Sequence, residues 1–190
     1  LHNGTIPSNI EFKMELCEAD GWVKCDRVEL EQVLLNLVIN ASHALRGTDA
    51  PQIKITTTYG IIDEDSEESR GAERYNLIAV HDNGCGIPKH LLDKVFEPFF
   101  SSKEQGEGTG LGLSTAYGSV AAKGGPIHLP STEGKGTSFY LTLPVHAKTE
   151  HQLSDDKHSP LLKVSDDDAV IVIAHDYTIL RKVVSEIYRV

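Results

Sequence analysis

Apolar residues along this chain recur in two rhythms, every second position or every third and fourth, and the switches between them mark out the elements. Ile10 to Leu16 alternates apolar and polar, the period of a strand with one buried face. Val23 follows in a short extended piece. Asp26 is placed to cap a helix whose apolar positions Leu30, Val33, Leu34, Leu37, Ala41 and Ala44 recur at three and four; it should run to about Arg46, with Gly47 as its stop. Gln52 to Tyr59 alternates again and is rich in β-branched residues, and Tyr75 to Val80 is another strand. Between them Asp63, Glu64, Asp65, Glu67 and Glu68 form an acidic run that reads as a solvated hairpin tip. Lys89 to Val95 predicts a short helix, and Leu113 to Lys123 a longer one stopped by Gly124-Gly125. Ile127 to Leu129 and Thr137 to Leu143 read as a closing pair of strands.

Composition narrows what such an α/β chain can do. With 190 residues and 39% hydrophobic content it can bury a real core as one domain, or as one domain plus a fragment. A formal net charge of -10 argues against nonspecific binding to nucleic acid or anionic lipid. An anionic ligand would therefore need local backbone dipoles, a cation or a few basic side chains. Cys17, Cys25 and Cys85 lack CxxC spacing, which points to a reducing compartment and away from a disulfide framework or zinc site. There is no signal peptide or spanning apolar run, so a cytoplasmic location is expected for this segment, whatever anchor a longer parent carries.

Four stretches carry candidate chemistry. Gly106-Glu107-Gly108-Thr109-Gly110-Leu111-Gly112-Leu113 places four glycines at alternate positions and runs into a helix. Glycines let backbone amides approach an anion, and the helix N-terminus adds unpaired N–H donors. A dinucleotide GxGxxG would need glycine where Leu111 or Leu113 stands, and no Gly-Lys-Ser/Thr occurs. A flexible linker is the alternative, against which the embedded leucines count. Asn36 and Asn40, four apart, share one face of the first helix. They are either a polar edge or a pair of amide oxygens aimed at a metal ion and phosphates. Asp82-Asn83-Gly84-Cys85-Gly86-Ile87-Pro88 makes a sharp turn after a strand. Phe96-Glu97-Pro98-Phe99-Phe100-Ser101-Ser102-Lys103 gathers three phenylalanines, as core or as the hinge of a mobile segment.

Taken in order, the Asn-bearing helix, Asp-Asn-Gly-x-Gly turn, Phe-x-Pro-Phe-Phe loop and GxGTGLGL resemble the ATP-binding catalytic domain of sensor histidine kinases, within the gyrase-type ATPase superfamily. The resemblance spans roughly Asn9 to Pro144. It implies a two-layer α/β sandwich, a mixed, mostly antiparallel sheet covered by three helices, with nucleotide between the helices and a flexible lid. It also implies ATP and Mg²⁺ as ligands. Asp82 would accept the adenine amino group and Gly86 would line the base, with Gly84 and Ile87 counted among the nucleotide-binding residues. Thr137 would support the adenine end. Asn40 would bind Mg²⁺ and Asn36 would reach the phosphates or the metal shell. Gly108, Thr109, Gly110, Leu111, Gly112 and Leu113 would cradle the phosphates, and Lys103 in the lid would contact them. His43 stands where many members carry Lys or Arg, which would shift phosphate binding toward Lys103.

Relatives that hydrolyse ATP place Glu four residues before the metal-binding Asn; here that residue is Asn36. An amide cannot act as general base, so phosphoryl transfer to a protein histidine is favoured over a gyrase/chaperone-type ATPase, and the intact motifs count against a nucleotide-binding pseudokinase. The implied partners are a helical dimerisation and phosphoacceptor domain of the same protein and a response regulator or receiver, with neither nucleic acid nor direct membrane contact. None of the nine His lies in an acceptor-type segment, so no catalytic residue is assigned and the acceptor is expected outside this chain. Residues 1–146 form the expected catalytic domain and 147–168 a linker. In 169–190, Ala169 to Ala174 and the helical spacing of Thr178 to Tyr188 resemble the start of a receiver, with a packed extra βα element as the alternative.

Overall fold

In the computed structural model, which describes residues 7–17, 22–62, 73–101, 109–145 and 170–172, the elements in chain order are β1 (Glu11–Glu15), β2 (Trp22–Lys24), α1 (Arg27–Ala44), β3 (Gln52–Ile62), β4 (Glu73–Asp82), a 3-10 turn (Lys89–Leu91), α2 (Gly112–Ala121), β5 (Ile127–His128), β6 (Ser131–Thr132), β7 (Gly136–Pro144) and β8 (Val170–Val172). Six strands form one sheet in the order β1-β3-β4-β7-β5, with β6 also on β7. Only β1 and β3 run parallel; the other pairs are antiparallel. The mixed, mostly antiparallel sheet and its helical cover are thus present. Among the described residues the cover consists of two α-helices, where three helices were expected. Lys89 to Val95 closes only a 3-10 turn, because of its three apolar side chains just Val95 reaches the interior and a short helix without a packed face does not hold.

Alternation puts Ile53 and Ile55 of β3, Ile78 and Val80 of β4, and Phe139, Leu141 and Leu143 of β7 into the core. The stripe Leu30, Val33, Leu34, Leu37, Val38, Ala41 on α1 and Ala116 with Val120 on α2 cover that face. Truncating one such leucine to alanine typically costs ~2–5 kcal/mol. Asp26 caps α1, its Oδ1 accepting from the amides of Val28 (2.7 Å) and Glu29 (3.1 Å). The helix stops at Ala44 with Gly47 at φ 76°, two residues before the expected end. At the sheet edge β1 departs from its simple pattern. Ile10 is buried and Phe12 and Leu16 pack partly on the core, but Met14 is exposed because an edge strand has one neighbour only. On β4, Asn76 is buried and its Nδ2 has no hydrogen-bond partner, a group that works against stability.

The acidic run at 63–68, the expected linker 147–168 and most of the C-terminal segment lie outside the described residues. Within that segment Val170–Val172 forms β8, antiparallel to β2 with Val23 opposite Ile171.

Candidate functional site

Asp82 ends the central strand β4, paired with Ile53 of β3 on one side and Thr137 of β7 on the other. Its Oδ1 accepts from the Gly84 amide at 2.9 Å, and its carboxylate also takes the Thr137 backbone N–H. Burial pushes this carboxyl above the usual carboxylate range, and the two amides pull in the opposite direction. Asn83 turns away: its Oδ1 accepts from the Gln52 amide (2.7 Å) and its Nδ2 donates to the Ala50 carbonyl (3.0 Å), tying the turn to the start of β3. The next residues are wedged between two walls. The Cys85 amide donates to the Ala44 carbonyl at the end of α1 (2.9 Å), and the Gly134 amide donates to the Cys85 carbonyl (2.7 Å). A Cβ on Gly84 would fall on the Ala44 carbonyl, and one on Gly86, at φ 68°, on the Thr132 carbonyl. Both positions therefore need glycine.

On the β6–β7 side, the Ser131 hydroxyl sits at the centre of a small network. It accepts from the Ile87 amide at 2.8 Å, donates to the Gly136 carbonyl at 3.1 Å, and lies 3.0 Å from Thr137 Oγ1. Thr137 is buried, directly across the ladder from Ser131. Sequence reasoning did not single out Ser131, since two-residue β6 has no periodicity to read. The available signal was a hydroxyl pair flanking the Gly134-Lys135-Gly136 turn.

The other end of the site is built on α1 and the start of α2. Asn36, Asn40 and His43 are half-buried on α1. Asn36 Nδ2 donates to the Gly112 carbonyl at 3.3 Å, while its Oδ1 accepts from Gln32 Nε2 at 3.1 Å. Gly112 lies close enough that an added Cβ would sit 3.6 Å from Asn36 Cγ. The glycine segment is thus brought against the Asn-bearing face. Gly110 adopts φ 67°, and a Cβ there would collide with the backbone of Phe99, whose amide donates to the Gly110 carbonyl at 3.0 Å. Phe99 itself has φ 66° and is 77% exposed, and neither Phe96 nor Phe100 is buried. The three rings are not core; Phe96 instead packs on Tyr117 of α2, with centroids 4.9 Å apart.

Helix α2 begins with no side-chain cap. Thr109 Oγ1 accepts from the Leu111 amide at 3.4 Å, and Leu113 packs partly on the core. An uncapped N-terminus preceded by a left-handed glycine presents N–H donors and partial positive charge, the chemistry that suits phosphate oxygens. Lys103 and Gly108 lie outside the described residues. The structure therefore joins Asn36 with Gly112, and Asp82, Gly84, Gly86 and Ile87 with Thr137.

Three kinds of comparison bear on this arrangement. Residues 25–147 match the family described as histidine kinase-, DNA gyrase B-, and HSP90-like ATPase. Over 144 residues the chain is 40% identical to the sensor kinase CckA of Brucella abortus, covering 73% of this chain and 15% of that protein. Over 141 residues it is 36% identical to the signal transduction histidine-protein kinase AtoS of Escherichia coli, covering 74% of this chain and 21% of AtoS. It therefore spans a small part of the length of these relatives. Among solved structures, a nucleotide-free form of the catalytic domain of histidine kinase ThkA superposes with a TM-score of 0.53 at 34% identity, covering 72% of this chain and 81% of that one.

Proposed function

The chain belongs to the histidine kinase-, DNA gyrase B- and HSP90-like ATPase family, and from that premise we propose that it binds Mg-ATP and donates the γ-phosphoryl group to a histidine on a separate helical dimerisation domain. The observation that carries this reading is Asn36, an amide hydrogen-bonded to the first residue of α2 where a hydrolase of this family needs a carboxylate to activate water. A histidine acceptor supplies its own lone pair. The imidazole nitrogen forms the new N–P bond, the bond from γ-phosphorus to the bridging oxygen breaks, and ADP leaves.

Asp82 accepts from the adenine amino group and Thr137 supports the same edge, with Gly84, Gly86 and Ile87 lining the base. The phosphates lie along Gly108 to Leu113, reached by Asn36, by His43 and by Lys103. The local fit is favourable: the start of α2 is uncapped, and Gly112 leaves open the space beside Asn36 that a side chain would fill. Asn40 would supply a side-chain oxygen to Mg²⁺, which when bound would offset phosphate charge.

The partners follow from the reaction: the helical phosphoacceptor domain of the same protein, and a response regulator or receiver that takes the phosphoryl group onward. Residues 147–168 would link the catalytic domain to 169–190 as the start of a receiver. No helix among the described residues is long and apolar enough to cross a membrane. Cys17, Cys25 and Cys85 are thiols rather than disulfides, which fits work in the reducing, ATP-supplied cytoplasm. Calorimetric titration with ATP, with and without Mg²⁺, tests the proposal. Saturable binding strengthened by Mg²⁺, with slow turnover, is expected. Rapid release of inorganic phosphate would assign the chain to the hydrolases instead.

A further inference from the structure

Resting on that nucleotide reading, we propose that Ser131 is a positioning residue that fixes the Thr137 hydroxyl as a hydrogen-bond acceptor toward the base, so that the site selects a purine with an amino group over one with a carbonyl at the six-position. The available protons decide the direction. A serine hydroxyl has one proton and two lone pairs. The Gly136 carbonyl, 3.1 Å away, can only accept, so it takes the single proton of Ser131. The Ile87 amide fills one lone pair at 2.8 Å. One lone pair is left for the contact to Thr137 at 3.0 Å, and only Thr137 can donate across it. The proton of Thr137 is then spent inside the network, and its oxygen presents lone pairs alone.

That outcome matters because of what stands next to it. Asp82, the ladder partner of Thr137, is acceptor-only when ionised, and Thr137 is 4% exposed, so little water is at hand to reverse a mismatch. Two acceptors on one edge match an exocyclic amino group and oppose an exocyclic oxygen. A threonine free to rotate would serve either. Ser131 need not touch the base for this; it acts by holding the proton of Thr137 elsewhere, while tying the Ile87 turn to the β6–β7 hairpin.

A merely structural Ser131 would make a different prediction, since loosening the hairpin weakens every nucleotide alike. The test is calorimetric binding of ATP and of inosine triphosphate, which carries a carbonyl at the six-position, to the 190-residue chain with Mg²⁺. Wild type, Ser131→Ala, Thr137→Val and the double variant are compared. The preference for ATP should fall about 5- to 20-fold in Ser131→Ala, the worth of one hydrogen bond changing sense. In the Thr137→Val background, Ser131→Ala should change the preference no further. Ser131→Cys, which keeps the volume and weakens the bonds, is carried in parallel and should shift the preference in the same direction, so the ratio is still read if the alanine protein does not fold. Equal losses for both nucleotides, or the same shift without the Thr137 hydroxyl, overturn the role of Ser131 and leave ATP binding standing. A folded wild type that binds neither nucleotide overturns both readings.

Discussion

Replacing Asp82 by Asn separates the site's function from its stability in a way the geometry makes quantitative. Two backbone donors, Gly84 N–H and Thr137 N–H, already converge on this carboxylate, which with two oxygens keeps lone pairs for a ligand. Asparagine has one acceptor oxygen. If that oxygen satisfies the backbone donors, its NH₂ group faces the adenine amino group, donor against donor. Losing a hydrogen bond to a charged acceptor costs about 1.5–3 kcal/mol, so ATP affinity should fall roughly 10- to 150-fold. Stability should move differently. Burial raises the Asp82 pKa, so above the raised value the ionised group costs folding free energy that protonation would remove. The Asp82→Asn protein, neutral at this position, should therefore melt no lower than wild type without nucleotide. The same shift predicts that wild-type affinity declines as pH falls toward the raised pKa, while the variant's residual affinity lacks that decline. Calorimetry and thermal melts from the ordinary aspartate value of about pH 4 up to about pH 8 read both effects. Undiminished ATP binding by a folded Asp82→Asn protein would refute the assignment of this residue to the base.

Other consequences concern the frame around the site. His81 Nδ1 lies 2.8 Å from Ser138 Oγ, and burial, then Lys54, holds its imidazole below the usual histidine range. The unfolded chain takes up that proton first, so stability should drop as pH falls below about 6.5 toward the lowered folded value. Urea denaturation from about pH 5 to 8, spanning the ordinary histidine range, should show His81→Gln with a shallower decline; an identical slope would contradict this. Gly110→Ala forces a side chain at φ 67° against the Phe99 backbone, so the Phe99 amide should lose hydrogen-exchange protection while β4 and β7 keep theirs. Unchanged protection at Phe99 would show the contact to be dispensable. Asn76→Val removes a buried nitrogen without a partner and should raise stability by ~1 kcal/mol, read from the urea midpoint, with a loss speaking against it.

Most of the frame was legible because local and tertiary signals agreed. Asp26 supplies the cap, and the three-and-four spacing from Leu30 to Ala41 matches the buried stripe of α1. Strands β3 and β4 were read short, since Gly60 interrupts the β-branched run although Ile61 and Ile62 go on pairing with Arg74 and Glu73. The Lys89 to Val95 segment shows the limit of spacing alone: Leu91 and Leu92 fit a helix, but neither is fully buried. At the site, spacing singled out Asn36 and the glycine segment, while Asp82 and Thr137 came from the family resemblance; Asn36 lies beside Gly112, and Asp82 stands across the ladder from Thr137. Ser131 was not legible. Its importance comes from what a hairpin brings to one hydroxyl, and no local pattern encodes that.

Transfer of the phosphoryl group to a histidine on the proposed helical partner leaves a direct chemical signature. The chain is mixed with the helical hairpin of the parent protein, γ-labelled ATP and Mg²⁺, and the label is tested for acid and base stability. An acid-labile, base-stable phosphate should appear on the hairpin histidine, and Asn40→Ala should abolish it by removing the Mg²⁺ ligand while the protein stays folded. A folded chain that binds ATP yet leaves the hairpin unlabelled, or that releases the label rapidly as inorganic phosphate, would contradict the account.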